Sequence, residues 1–377
     1  MTGKLKVAIV CDWLTGIGGA ERVVLEMHRL YPEAPIFTSQ YDPTAIDWFA
    51  EADVRTGWLQ RLPKSLKKFL PVLRAWYFSR LDLSEYDLVL SSSGAEAKAI
   101  RTGPNTLHIC YCHAPTHYYW ARTDEYLAQP GFPRGLNWLA RWGLKLLLDP
   151  LRRWDRHAAG GPDVMIANSN HTAAMIKRYY RRDATVIFPP VDTDRFKGPS
   201  KATLRHGFVI AGRQTPYKRF DLAIEACNEL KVPLVVIGNG PDHKRLEKLA
   251  GRSVTFLTNV SDFDIVDHFQ TALAFIMPNL DDFGIVAVES MAAGTPVVAY
   301  QKGGALDYVV DGKTGVFFDK QTTKSLTAAL ETALNKSFNY ETIAEHANKY
   351  SVTTFRKSMR DFIDETLDKA RPESVKK

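Results

Sequence analysis

Four cysteines in 377 residues, at positions 11, 110, 112 and 227, are too few and too scattered to staple a fold of this size. Reduced thiols and a cytoplasmic location are therefore expected. No apolar run reaches the ~18 residues that a membrane span needs. The opening MTGKLKVAIVCDW puts a strand where a signal peptide would carry its apolar region, so neither an integral nor a secreted protein is expected. With 24 glycines and 20 prolines the chain is no fibrous or low-complexity sequence, and 45% hydrophobic against 24% charged residues excludes disorder. What is present is length: at ~150 residues per domain, two domains are expected, each able to bury a core. The net charge of +7 is uneven, with +6 in residues 1–186 and +1 in the remainder.

Residues 6–11 (KVAIVC) form an apolar run that ends in TGIGGAE, after which Val23, Val24, Met27 and Leu30 fall at helical spacing. Strand-like runs follow at 87–91, 107–112, 164–167 and 185–188, with helical patterns between most of them. The pattern then restarts, with runs at 207–211, 234–237, 254–257, 274–277, 296–299 and 315–318. Alternation of this kind predicts parallel sheets covered on both faces, and two doubly wound α/β sheets in tandem. The proline-rich stretch 188–200 (FPPVDTDRFKGPS) breaks both periodicities and is the expected hinge. The domains are expected over 1–188 and 189–350. A helix over about 352–369 is expected to cross back to the first domain, followed by a frayed tail. Ligands of doubly wound sheets bind at the carboxyl ends of the strands, here in a cleft that both sheets face.

Three segments carry candidate chemistry. Gly16, Gly18 and Gly19 precede a helix, where backbone can approach a phosphate at a positive dipole end. Glu21 occupies the position where a nicotinamide fingerprint needs a third glycine, and an ordinary tight turn is the alternative. In FVIAGRQTPYKRFD (208–221) a strand delivers Arg213 and then Lys218 to its carboxyl end. A planar fork of donors and a compact point charge suit successive phosphates, against the alternative of a solvated basic loop. PNLDDFGIVAVESMAAGTPVV (278–298) runs from a strand end through an acidic turn into a helix carrying Glu289, which Gly294 stops before the next strand. Asp281 and Glu289, eight apart, can meet a sugar's hydroxyls and a ribose diol while the helix N-terminus faces phosphate.

This order of residues resembles the glycosyltransferase family 4 signature, two carboxylates separated by seven residues in a setting of Phe-Gly, small helix and Gly-x-Pro. The rest of the chain follows suit from about residue 6 to about 355: GGAE near the start, Arg213 and Lys218 at the phosphate clamp, Gly238 and Gly240 after the next strand, and Gly303-Gly304 beyond the motif. The resemblance implies a GT-B fold, a nucleotide-sugar donor held mainly by the second domain, and transfer with retention at the anomeric carbon. It implies that Arg213 and Lys218 stabilise the leaving diphosphate and that Gly18 and Gly19 shape the phosphate side. Glu289 binds ribose, and Asp281 and His113 orient the sugar. Gly238, Asp282, Phe283, Gly284 and Ile285 complete the donor site, with the base held by backbone near Asn259 and Val260. Asp281 stands where the family usually has Glu, and Asp282 is the alternative carrier of that role. His113, at a strand end before Pro115, resembles the family's active-site histidine. His117 is its competitor, and a structural histidine is the plain alternative.

No metal cofactor is expected. The triplets Asp192-Thr-Asp194 and Asp262-Phe-Asp264 fall in the hinge and at a helix start, and the family uses Arg, Lys and helix dipoles where others use a cation. The stretches 111–115 with Tyr119 and Trp120, and 217–226, look most like bacterial mannosyltransferases that build O-antigen and exopolysaccharide repeats. That favours GDP-mannose over a UDP-hexose.

Residues 55–80 hold seven basic side chains and no acidic one, threaded with Trp58, Leu59, Leu62, Leu66, Phe69, Leu70, Leu73 and Trp76. A basic amphipathic helix bent at Pro71 is expected here, laying Trp58, Arg61, Lys64, Lys67 and Lys68 on an anionic membrane surface. An inward-packed helix with a solvated basic face is the alternative, and nucleic acid is not expected as a partner. A second stretch, with Trp138, Trp142 and Trp154 among basic residues, is either part of the same surface or core. The sequence thus predicts a retaining hexosyltransferase, cytoplasmic and peripheral to the inner membrane face, with a lipid-linked or oligosaccharide acceptor. The rival classes are a sugar-nucleotide-binding scaffold without turnover and a sugar phosphorylase on the same fold.

Overall fold

The computed structural model describes residues 5–63, 71–128, 137–196 and 205–370. The chain divides into two compact units, one of residues up to Phe188 together with those from Arg356 onward, the other Pro189–Phe355. In the first unit the strands are β1 (Val7–Cys11), β2 (Ile36–Thr38), β3 (Val54–Thr56), β4 (Leu88–Ser93), β5 (Leu107–Cys112), β6 (Val164–Ala167) and β7 (Thr185–Val186). They pair in the order β3-β2-β1-β4-β5-β6-β7, every pair parallel. The second unit holds β8 (Phe208–Ala211), β9 (Leu234–Ile237), β10 (Val254–Leu257), β11 (Ala274–Met277), β12 (Val297–Tyr300) and β13 (Gly315–Phe318). Their order is β10-β9-β8-β11-β12-β13, again all parallel.

The unbroken apolar runs explain the layering. Every residue of β1, β4, β5, β11 and β12 is buried, which requires cover on both faces of each sheet. In both units the chain starts in the middle, winds to one edge and returns to build the other. The strand order therefore reverses between β1 and β4, and between β8 and β11. At these switch points the loops leaving the strands diverge to opposite faces and open a crevice.

Two strands had no sequence signal. β2 and β3 are three residues each, too short to display a period of two, and neighbouring strands alone define them. The expected basic helix over 55–80 is corrected. Its first part is the end of β3 and a 3-10 turn at Trp58–Arg61, and a helix runs Pro71–Phe78 with Pro71 in its first turn rather than at a bend. Arg74, counted there among the surface charges, is buried. Lys64, Lys67 and Lys68 lie outside the described residues.

The four cysteines are free and buried. Burial pushes the Cys110 thiol up to about 11 and Cys227 to about 12. The last helix, Val352–Ala370, buries Phe355, Met359 and Ile363, and Arg356 on it pairs with Glu26 of the helix Gly19–Leu30. Among the described residues no helix is long and apolar enough to cross a membrane.

Candidate active site

The second unit gathers its candidate residues at the β8/β11 switch point. After β8 the chain runs through Gly212 (φ +140°) and exposed Arg213 into a 3-10 turn, Pro216–Lys218, and the helix Phe220–Leu230. After β11 it runs through Asp281 and Asp282 to Gly284, the residue before the helix Ile285–Ala292. Lys218 Nζ and a carboxylate oxygen of Asp281, 63 residues apart in sequence, meet at 2.5 Å. Each side chain is about one-fifth exposed, so the pair faces outward from the strand ends.

Backbone-to-backbone packing shapes these loops. A Cβ on Gly238 would lie 2.2 Å from the Gly212 carbonyl oxygen and one on Gly240 2.3 Å from that of Gln214, so the β9 loop sits directly against the Arg213 loop. Gln214 fastens the contact, donating to the Gly238 carbonyl at 2.7 Å and meeting His243 Nδ1 at 2.6 Å. Gly284 takes φ +101°, and a Cβ there would strike Met277. Gly303 and Gly304 press on the acidic loop from the far side, with the Gly304 amide donating to the Asp281 carbonyl at 2.9 Å.

The Phe283 ring turns inward against Tyr308 and Tyr350, leaving its main chain as what it can offer a ligand. Ile285 opens the helix and is half-buried, while Glu289, one turn on, is buried. Asn259 is exposed and Val260 half-buried in the turn after β10.

The first unit holds a cavity of about 260 Å³ at the carboxyl ends of β1, β4 and β5. Its lining includes Asp12, Trp13, Glu21, Ser92, His113, His117 and Tyr118, so both candidate histidines face it. His113 Nε2 lies 2.8 Å from Ser92 Oγ, and its carbonyl accepts from Asn168 at 2.9 Å. Asp12 accepts the amides of Gly94, Ala95 and Ala97 at 2.7–3.0 Å, which pins the loop after β4. Gly18 precedes the helix Gly19–Leu30 in extended backbone.

Glu21 is the residue that sequence reasoning passed over. Its position three after Gly18 is the capping-box spacing, the one signal that marked it. A Cβ on Gly18 would come within 2.8 Å of Glu21 Oε2, so the missing side chain of Gly18 makes room for this carboxyl at the cavity wall. Burial, with the Asp12 charge added, raises Glu21 to about 7. A carboxyl raised from its ordinary value binds protons in the native state that the unfolded chain has released. It therefore costs stability progressively as pH rises from about 4.5 to 7. Glu21→Gln is expected to raise the urea-unfolding free energy by about 1–3 kcal/mol at pH 8 and to have little effect at pH 4.5. Equal effects at both pH values would place the charged carboxylate in water instead.

Beneath this cavity lie two buried ion pairs that the sequence did not announce. Arg74 Nε meets Glu96 at 2.8 Å, and Tyr118 also donates to Glu96. Lys98 Nζ meets Asp155 at 2.7 Å, and Asp155 further accepts from Thr116, Trp120 and Tyr180 at 2.7–2.9 Å. Burial opposes the Lys98 charge, yet Asp155 holds its ammonium well above the usual lysine range.

The two Asp-x-Asp triplets take up local work. Asp192 accepts from the Arg195 amide, and Asp264 bonds Ser261, the cap of the helix Asp262–Thr271. Trp58 and Arg61 are exposed on the turn after β3.

Comparison with known proteins agrees with this geometry. The profile described as Glycosyltransferase Family 4 matches residues 17–195, and that described as Glycosyl transferases group 1 matches 192–350. A D-inositol 3-phosphate glycosyltransferase of Streptomyces avermitilis is 34% identical over 186 residues, covering 41% of this chain and 40% of the relative. A GDP-mannose-dependent alpha-(1-6)-phosphatidylinositol monomannoside mannosyltransferase of Mycolicibacterium smegmatis is 30% identical over 203 residues, covering 44% and 53%. The chain thus spans about half the length of these curated relatives. The crystal structure of Anabaena Alr3699/HepE in complex with UDP and glucose superposes with a TM-score of 0.68 at 18% identity, covering 96% of this chain and 100% of that one. That likeness concerns the fold, two Rossmann-like parallel-sheet domains of the GT-B class. The two profiles divide residues 17–350 between them in the order of the two sheets, and the chain belongs to the family 4 glycosyltransferases.

Proposed function

We propose that this protein transfers a hexosyl unit, mannosyl in preference, from a nucleotide diphosphate sugar to a lipid-linked or oligosaccharide acceptor with retention at the anomeric carbon. The observation that carries this is the cluster at the β8/β11 switch point: two cations, Arg213 and Lys218, beside Asp281 and the turn into the helix Ile285–Ala292. Cations and helix-terminal amides aimed at a leaving diphosphate stabilise charge where it develops, without a metal. In this reading Lys218 exchanges Asp281 for phosphate when donor binds, and Asp281 turns to the sugar hydroxyls. Glu289 serves the ribose, while Gly238, Asn259, Val260, Asp282, Phe283, Gly284 and Ile285 complete the donor site. His113 in the first-unit cavity orients the sugar, and Gly18 and Gly19 serve the phosphate side. The acceptor is consumed at the inner face of a membrane, where the protein is peripheral and cytoplasmic.

GDP-mannose is preferred because the M. smegmatis relative is named for it, while the Anabaena structure holds UDP. Thermal unfolding with GDP and with UDP separates the two. A nucleotide at ~100 times its dissociation constant adds about 2.7 kcal/mol and shifts Tm by a few degrees. A shift by GDP alone is expected, and a shift by UDP alone overturns the donor while leaving the site. Release of GDP from GDP-mannose should require an acceptor. Release that requires inorganic phosphate instead would mark a phosphorylase.

A further inference from the structure

Soluble surfaces seldom leave tryptophans bare, yet the first unit does so on two helices. On the helix Asn137–Ala158, Trp138, Trp142 and Leu146 are 68%, 61% and 61% exposed and stand four residues apart, which places them along one side. Lys145 and Arg153 are exposed on the same helix. On the helix Pro71–Phe78, Trp76 is 47% exposed, its ring in edge contact with Trp58 at 5.8 Å and under the Arg80 guanidinium at 4.2 Å. Val72 and Leu73 are bare beside it.

These helices are fastened to one short turn. Glu96, just before Ala97–Ala99, holds the first through Arg74, and Lys98 within the turn holds the second through Asp155. The segment carrying His113 and His117 is tied to both, since Tyr118 donates to Glu96 and Trp120 to Asp155. Charged groups that would normally be solvated are thus spent inward, while apolar rings and other cations face out. Burial of Arg74 and Asp155 cannot be an accident of a solvated helix, because each pair costs desolvation and is offset only by its partner.

We propose that the helices Pro71–Phe78 and Asn137–Ala158 together form a docking face for an anionic lipid bilayer, fixed relative to the first-unit cavity through Glu96 and Lys98. Indole rings settle at the headgroup level with Leu146 beneath them, and the interspersed cations match anionic headgroups. The face deepens the functional reading by naming the surface that brings a lipid-linked acceptor to the cavity. Its test needs no turnover, so its failure leaves that reading standing.

Sedimentation of the full chain with vesicles decides the matter. Wild type is expected to bind phosphatidylcholine–phosphatidylglycerol vesicles and to bind pure phosphatidylcholine weakly. Trp138→Ser, Trp142→Ser and Leu146→Ser together should weaken binding more than about tenfold, and Lys145→Ser with Arg153→Ser about fivefold per charge. In both variants the nucleotide-induced Tm shift should be unchanged, which certifies the fold. Absence of vesicle binding by wild type, or equal binding by the triple variant, overturns the proposal. So does a triple variant that changes only the oligomeric state in gel filtration, which would make the face a contact between copies.

Discussion

Arg213→Ala and Lys218→Ala are each expected to lower kcat by about 10²–10³ while the fold persists, because each removes a charge-assisted donor aimed at the leaving diphosphate. Arg213 is exposed at the end of β8, so its removal should leave the unfolding free energy within about 0.5 kcal/mol of wild type. Lys218 differs. Its ammonium neutralises Asp281 at 2.5 Å, so Lys218→Ala also strands a carboxylate where phosphate is to bind. The lysine variant should therefore lose nucleotide affinity as well as turnover, and adding Asp281→Asn should return much of the affinity but not the turnover. Steady-state kinetics with nucleotide titration by thermal shift separate these effects. Turnover within threefold of wild type in either single variant would remove that residue from the diphosphate.

Asp155→Ala is expected to cost about 3–5 kcal/mol, the largest stability loss among the changes considered. The substitution leaves the Lys98 ammonium buried without its counter-charge, and it orphans the Thr116 and Tyr180 hydroxyls and the Trp120 indole N–H. Should that variant fail to accumulate, Lys98→Met with Asp155→Asn gives the measurement another route. With no charge left inside and the amide oxygen still accepting, the double variant should unfold at higher urea than Asp155→Ala. A loss below about 1 kcal/mol for Asp155→Ala would mean that water reaches Lys98. Because Thr116, Tyr118 and Trp120 share these partners, the same variant should also loosen the loop that carries His113 and His117, read as faster amide exchange there.

Much of the donor-side machinery is legible in the chain because it is local. A loop between a strand and the helix that follows can be read from its own residues, so Arg213, Lys218 and the run from Asp281 to Glu289 are visible as motifs. The glycines are legible for a related reason: a positive φ at Gly284 or a backbone contact at Gly238 leaves no room for a side chain. The basic segment after β3 misled because helical spacing was measured across a strand end, a 3-10 turn and the start of a helix. Composition there could not tell Arg74, which turns inward to Glu96, from Arg61, which stays in water.

By itself the sequence determined two parallel sheets in tandem, the strands long and apolar enough to declare themselves, and the family motifs that lie within single strand–loop–helix units. Periodicity and turn chemistry are properties of neighbours along the chain, and neighbours suffice for them. Only the tertiary structure decided which distant loops share a crevice. The strand order that brings β8 beside β11 puts Lys218 on Asp281, and the order that brings β1 beside β4 puts Asp12 under the loop leading to Glu96 and Lys98. It alone decided that Glu21 shares a cavity with His113 and that Lys98 and Asp155 are paired inside. The reason is the one that governs any buried charge: its energy depends on what lies within a few ångströms after folding, and separation along the chain carries no information about that distance.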